Sequence, residues 1–104
     1  MELKDTIVKM TSHDYKERFI AEYQQTKIRY EKLKAFNTKI EAAHRMAESR
    51  SYLCVNPIEP GSDIDKMMPK HDCPDSLLRE QQSIMGEYLH ILEVRAVIEG
   101  IELN

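Results

Sequence analysis

The chain has 104 residues, 41% of them hydrophobic and 32% charged, with a formal net charge of −3. That length fits one small domain, and the balance is too apolar for disorder and too near neutral for a non-specific nucleic-acid binder. With 3 Gly, 2 Phe and no Trp no large aromatic core can form, so the apolar faces must meet in a two-layer helical packing or an oligomer.

Met1–Met10 is short and mixed; Ile7, Val8 and Met10 could pack locally, but the segment reads as a loose lead-in. Thr11-Ser12-His13-Asp14 is a helix start. Thr11 or Ser12 can accept from the free amides of the first turn, and Asp14 suits the positive end of the helix dipole. A first helix over about 12–48 follows without a Pro or Gly. Its inward positions fall at Phe19, Tyr23, Thr26, Tyr30, Leu33, Asn37, Ile40, His44 and Ala47, widened by Ile20, Phe36 and Ala43. Steps alternating four and three are the seam spacing of helices packed side by side. At ~1.5 Å per residue this helix is roughly 55 Å long. Asn37-Thr38 is its weakest point, since both residues have modest helix propensity.

Residues 49–73 hold Pro57, Pro60, Gly61 and Pro69, show no helical period and read as a long connecting loop, of a length that tends to be functional or mobile. Pro74 and Asp75 then open a second helix over about 74–100. Its expected inward face is Leu78, Gln81, Met85, Tyr88, Leu92 and Arg95, widened by Leu77, Ile84, Leu89, Ile91 and Val94. Gly100 can take the left-handed cap conformation, with Ile101 folding back towards Ala96 or Val97. The second helix is shorter than the first, so part of the first stays uncovered in a monomer, and self-association would cover it. The expected fold is all-α: a long antiparallel helical hairpin with an irregular loop, forming a homo-oligomer through the exposed length of the first helix.

Charge is distributed unevenly. His13–Arg50 holds nine Lys/Arg against six Asp/Glu, whereas Pro74–Asn104 holds two against six. Such opposition favours pairing the helices and leaves the first as a candidate anion surface. Cys54 and Cys73 make no disulfide framework, no apolar run reaches membrane-spanning length, and the N-terminus lacks a signal-peptide core. These features read as a cytoplasmic protein with free thiols.

Catalytic patterns are weak. Cys54, His71 and Cys73 have metal-ligand chemistry, but separations of sixteen residues and then one match no common zinc module. They read as loop thiols beside an exposed histidine. Glu80, Glu87, Glu93 and Glu99 are seven, six and six residues apart, without the one-turn carboxylate pairs that helical pyrophosphatases use to hold magnesium. No Gly-rich phosphate loop, Cys/His nucleophile pair or HExxH occurs. His44 on the seam and His90 beside it read as polar core residues. An enzyme is the least favoured class, and no cofactor is expected.

Tyr23, Lys27 and Tyr30 share one helical face, with Lys34 a turn further on. Arg79, Tyr88 and Arg95 supply the same residue types on the second helix. Aromatic rings beside cations can stack a base and neutralise a phosphate. The competing reading is a tyrosine seam flanked by a solvated basic face.

The segments Asp14-Tyr15-Lys16-Glu17-Arg18-Phe19, Glu22-Tyr23 and Lys27-Ile28-Arg29-Tyr30-Glu31-Lys32-Leu33 resemble small uncharacterised proteins of phages and prophages. Cys73-Pro74, Leu77-Leu78, Glu80-Gln81, Met85-Gly86-Glu87-Tyr88-Leu89, Leu92-Glu93, Arg95 and Glu99-Gly100-Ile101 are similar to the closing helix of the same group. That group resembles the family named after a protein of crAss-type phages. The loop from Ser49 to Asp72 is longer than that family leads one to expect. The family supplies no activity. A looser architectural likeness is to small phage proteins, the anti-CBASS and anti-Thoeris sponges, which bind bacterial immune nucleotide signals between protomers without turnover. The resemblance implies a phage or prophage anti-defence protein that sequesters a cyclic nucleotide or cyclic ADP-ribose-type signal. Tyr23, Tyr30 or Tyr88 would stack the base, and Lys27, Lys34, Arg79 or Arg95 would pair with phosphate. Its expected partners are its own copies, not DNA or a membrane. The alternatives are a module that binds a host or phage protein through its helical face or loop, and a structural helper in phage morphogenesis. A pocket of Tyr, Lys and Arg at a subunit boundary favours the first reading; a continuous exposed apolar patch favours protein binding.

Overall fold

The structure, a computed structural model, describes residues 1–52 and 68–103. A 3-10 turn, Leu3–Thr6, leads into the short helix α1, Ile7–Met10; the long helices are α2, Tyr15–Tyr52, and α3, Asp75–Glu99. The described residues contain no strand and measure 60 × 25 × 21 Å overall.

The N-terminal segment is more ordered than a loose lead-in. Thr6 is fully buried against α2. Its Oγ1 donates to the Leu3 carbonyl at 2.7 Å and accepts from Gln25 Nε2 at 2.8 Å. Ile7, Val8 and Met10 are exposed. A satisfied polar contact, not apolar burial, holds the segment down.

Asp14, rather than Thr11 or Ser12, caps α2. Its carboxylate accepts from the Lys16 amide at 3.0 Å, and its carbonyl accepts the first helical bond from Arg18 at 3.1 Å. Ser12 Oγ in turn accepts from the Asp14 amide at 3.1 Å. The helix continues through Asn37-Thr38 and past the expected end near 48 to Tyr52; Asn37 is held across the interface, and Thr38 Oγ1 donates back to the Lys34 carbonyl at 2.8 Å without breaking the helix. Only the two ends of the expected 49–73 loop are described; Cys54 lies outside the described residues.

α2 and α3 meet in opposite senses: Tyr15 contacts Arg95, Glu22 contacts Tyr88, and Asn37 contacts Gln82. The core joins Phe19 and Tyr23 of α2 to Leu89, Leu92 and Ala96 of α3 and to Ile101 beyond it. Burying an aliphatic side chain as large as Leu92 contributes about 1.5–3 kcal/mol. Gly100 closes α3 at φ 69° and ψ 34°, and the Ile101 amide donates to the Ala96 carbonyl at 2.8 Å. This left-handed turn folds Ile101 back into the core cluster.

Two expectations about inward faces need correction. His44 lies on the α2 seam in sequence but is exposed, its Nε2 3.3 Å from Asp75 Oδ2. On α3 the inward line is Leu78, Gln82, Met85, Leu89, Leu92 and Ala96, while the expected inward residues Gln81, Tyr88, Arg95, Leu77, Ile84, Ile91 and Val94 are exposed. α3 is apolar on more than one face, and a cross-helix hydrogen bond chooses which turns inward. Asn37 Nδ2 donates to Gln82 Oε1 at 2.9 Å and to the Leu78 carbonyl at 3.1 Å. A buried amide with specific partners fixes the register.

Candidate functional site

An open cleft of about 900 Å³ runs beside α3, lined by Tyr30 of α2 and by Arg79, Gln82, Ser83, Gly86, Glu87, His90 and Ile91 of α3. Gly86 makes room for it. A Cβ built there would stand 3.4 Å from Tyr30 Cε2, so a larger side chain would fill the space beside the ring. Tyr30 is half-buried and Arg79 exposed. Neither makes a side-chain hydrogen bond or ion pair among the described residues. The cleft thus offers a stacking ring, a guanidinium unpaired among the described residues and the polar groups of Gln82, Ser83 and His90 to one molecule.

The other sequence candidates are distributed elsewhere. Tyr23 and Lys27 line a separate groove with Met1, Gln24, Ile28, Glu31 and Lys32. There the Lys27 ammonium sits 5.9 Å from the centre of the Tyr23 ring, and Tyr23 itself is buried. Burial, with the Glu93 carboxylate beside it, raises the Tyr23 pKa. Lys34 is exposed and lines neither depression.

Tyr88 and Arg95 serve the helix interface. The Tyr88 hydroxyl donates to Glu22 Oε1; that bond, followed by desolvation, raises its pKa. Arg95 Nη2 donates to the Tyr15 hydroxyl at 2.7 Å. Its guanidinium stacks 4.9 Å above the Phe19 ring, and its Nε lies 3.4 Å from Glu99. Of the seven candidates, the structure therefore brings only Tyr30 and Arg79 together in the cleft. Gly86 was not among the expected site residues, and His90, expected as a polar core residue, is exposed and lines the cleft. A glycine among strong helix formers was the available signal for Gly86.

A polar groove adjoins the cleft at Arg79 and is also lined by Asn37, Ile40, Glu41, His44, Arg45, Glu48 and Asp75. His71 packs edge-on against Phe36 at 5.8 Å. Its Nδ1 faces the Pro69 carbonyl at 2.8 Å and its Nε2 faces Asp75 Oδ1 at 2.6 Å. With an acceptor at each nitrogen the imidazolium is favoured, and the His71 pKa is raised, first by the Pro69 carbonyl and then by Asp75. Cys73 is exposed and free. Among the described residues no group of three His, Cys, Asp or Glu could hold a metal ion. Nor is any described helix long and apolar enough to cross a membrane.

A family model named Sequestin matches residues 13–54 and 63–98, spanning both sides of the cleft. No curated protein and no solved structure matches the chain.

Proposed function

Because the chain belongs to the Sequestin family, whose name denotes sequestering, we propose that it binds and holds a small nucleotide signal without turning it over. The signal is a cyclic nucleotide or a cyclic ADP-ribose-type molecule made by bacterial immunity, and the setting is a phage or prophage countering that defence. One observation carries the reading: Tyr30 and Arg79, neither with a side-chain hydrogen bond or ion pair among the described residues, share one cleft with Gly86. In this reading Tyr30 stacks a base and Arg79 pairs with phosphate, while Gln82, Ser83 and His90 offer hydrogen bonds to ribose or base edges. Glu87 on the rim disfavours an anion close to it, so the phosphate sits towards Arg79. Self-association of protomers belongs to the same reading.

Calorimetry and thermal shift against cyclic dinucleotides, cyclic trinucleotides and cyclic ADP-ribose isomers test it. A ligand at 100 times its dissociation constant stabilises the fold by about 2.7 kcal/mol. Tyr30→Ala and Arg79→Ala should each abolish that shift, and chromatography should recover the ligand unchanged. The absence of a shift with every compound sinks the reading.

A second reading, a module that binds another protein, is favoured by the apolar residues that α3 leaves exposed. They also suit a second copy of this chain.

A further inference from the structure

Asp75, the first residue of α3, has a histidine at each carboxylate oxygen. His71 Nε2 lies 2.6 Å from Oδ1, and His44 Nε2, reaching over from α2, lies 3.3 Å from Oδ2. His71 Nδ1 meets the Pro69 carbonyl at 2.8 Å, and the ring stands edge-on to Phe36. A neutral imidazole has a single N–H, so only the imidazolium donates to both acceptors. Arg79 follows Asp75 at the i,i+4 spacing that pairs a carboxylate with a guanidinium on a helix surface. Glu41–Arg45 and Arg95–Glu99 have that spacing and close to 3.4 Å each. Asp75–Arg79 does not close, although both residues line one polar groove and Arg79 makes no side-chain hydrogen bond or ion pair among the described residues. The histidines occupy the carboxylate that Arg79 would otherwise hold.

We propose that Asp75 is a positioning residue for the cleft: held by His71 and His44 it leaves Arg79 open to an anion, and released by them it takes Arg79 for itself. The role of Arg79 as the anion contact rests on the proposed nucleotide binding; the exchange of partners at Asp75 does not. When His71 loses its proton, one N–H remains for two acceptors and the charge opposite Asp75 is gone. Arg79, one turn along, is then the guanidinium within helical reach that no described group holds, since Arg45 already faces Glu41. The other charged groups around this corner are Asp72 beside His71 and Glu41, Arg45 and Glu48 across the groove. Carboxylates and guanidinium groups keep their charge where imidazoles titrate, so these set a constant field and the two histidines set the change. Anion affinity at Arg79 is therefore high at low pH, with His71 charged, and falls as pH rises through the folded His71 value. Arg79 belongs to both the groove and the cleft, so the corner acts on the ligand site without touching a ligand.

Heteronuclear NMR of the full chain, without nucleotide, tests the exchange. Between about pH 5.5 and about 8.5, which brackets the imidazole range, the Arg79 Nε–H resonance should shift with the same midpoint as the His71 ring. Asp75→Asn should remove that shift, and His71→Gln should hold Arg79 at its high-pH position throughout. An Arg79 resonance that ignores His71, or one that moves unchanged in Asp75→Asn, overturns the proposal. Sulfate, doubly charged over this whole range, is the anion probe, and His90→Gln is present in every chain compared because His90 is an imidazole in the same cleft. Sulfate should bind at Arg79 roughly two- to fivefold more tightly at the lower pH, the factor an exposed ion pair is worth, and equally at both in Asp75→Asn. Equal affinity at the two pH values in the parent chain, or none at Arg79, overturns the proposal. Partner exchange in a chain that takes up no nucleotide leaves the exchange standing and removes the functional reading alone; nucleotide uptake by a chain whose Arg79 never exchanges does the reverse.

Discussion

A Cβ on Gly86 would lie 3.4 Å from Tyr30 Cε2, the distance of ordinary van der Waals contact. Gly86 sits inside α3, where glycine costs about 0.5–1 kcal/mol relative to alanine. Gly86→Ala should therefore raise stability by about that amount, read as a higher urea midpoint. Gly86→Leu should push a side chain into the cleft and abolish nucleotide uptake in calorimetry while keeping the helix. Unimpaired binding by Gly86→Leu would place the ligand elsewhere.

Asn37 is the polar lock between α2 and α3. Asn37→Ala leaves Gln82 without this partner in a half-buried position and should cost about 1–2 kcal/mol in urea unfolding. Asn37→Leu should recover the midpoint yet loosen the register, visible as broadened amide resonances at Leu78 and Gln82.

His71 makes stability depend on pH. Its folded pKa is raised by the Pro69 carbonyl and the Asp75 carboxylate, above an unfolded value of about 6.5. The contribution is therefore complete below pH about 6.5 and disappears as pH rises through the folded value. Asp75 also faces His44 with its second oxygen, so the comparison must isolate His71. The stability difference between wild type and His71→Gln, measured by denaturant unfolding, should be larger at pH about 5.5 than at about 8.5.

Gly100 holds a left-handed conformation at φ 69°. Space around its missing side chain is open, so the strain of a substitution is in the backbone. Gly100→Ala should cost about 1 kcal/mol, seen as a lower thermal midpoint, with the loss propagating to the buried Ile101.

The ends of α3 were readable because local chemistry sets them, Pro74-Asp75 at the start and Gly100-Ile101 at the stop, whereas α2 starts at Asp14 instead of Thr11 or Ser12 and runs past 48 to Tyr52. The α2 seam was also readable, from Phe19 through Tyr23 and Asn37 to Ile40. α3 was not, because Leu77, Ile84 and Ile91 lie beside Leu78, Met85 and Leu92, and a period of 3.6 cannot say which of two apolar stripes turns inward. Asn37 settles that only once α3 is opposite it. The cleft follows the same logic. Tyr30 and Arg79 were recognisable as residue types, but their meeting depends on the register between two helices. Tyr88 and Arg95 looked equivalent to them until Glu22, Tyr15 and Glu99 occupied them.

The tie between Thr6 and Gln25 spans 19 residues of chain, that between Asn37 and Leu78 spans 41, and that between Tyr15 and Arg95 spans 80. Such a ladder orders assembly in time. Closing a loop costs more entropy as it lengthens, by about 0.6 kcal/mol per doubling, so the N-terminal segment can settle on α2 while α3 is still unmade by the ribosome. The His44–Asp75 contact closes a shorter stretch of chain and is then the first rung between the long helices, with Asn37 the next. Once Asn37 holds Leu78 and Gln82, each later contact up to Arg95 closes only a few residues of slack, and the Tyr15–Arg95 pair forms as a local step.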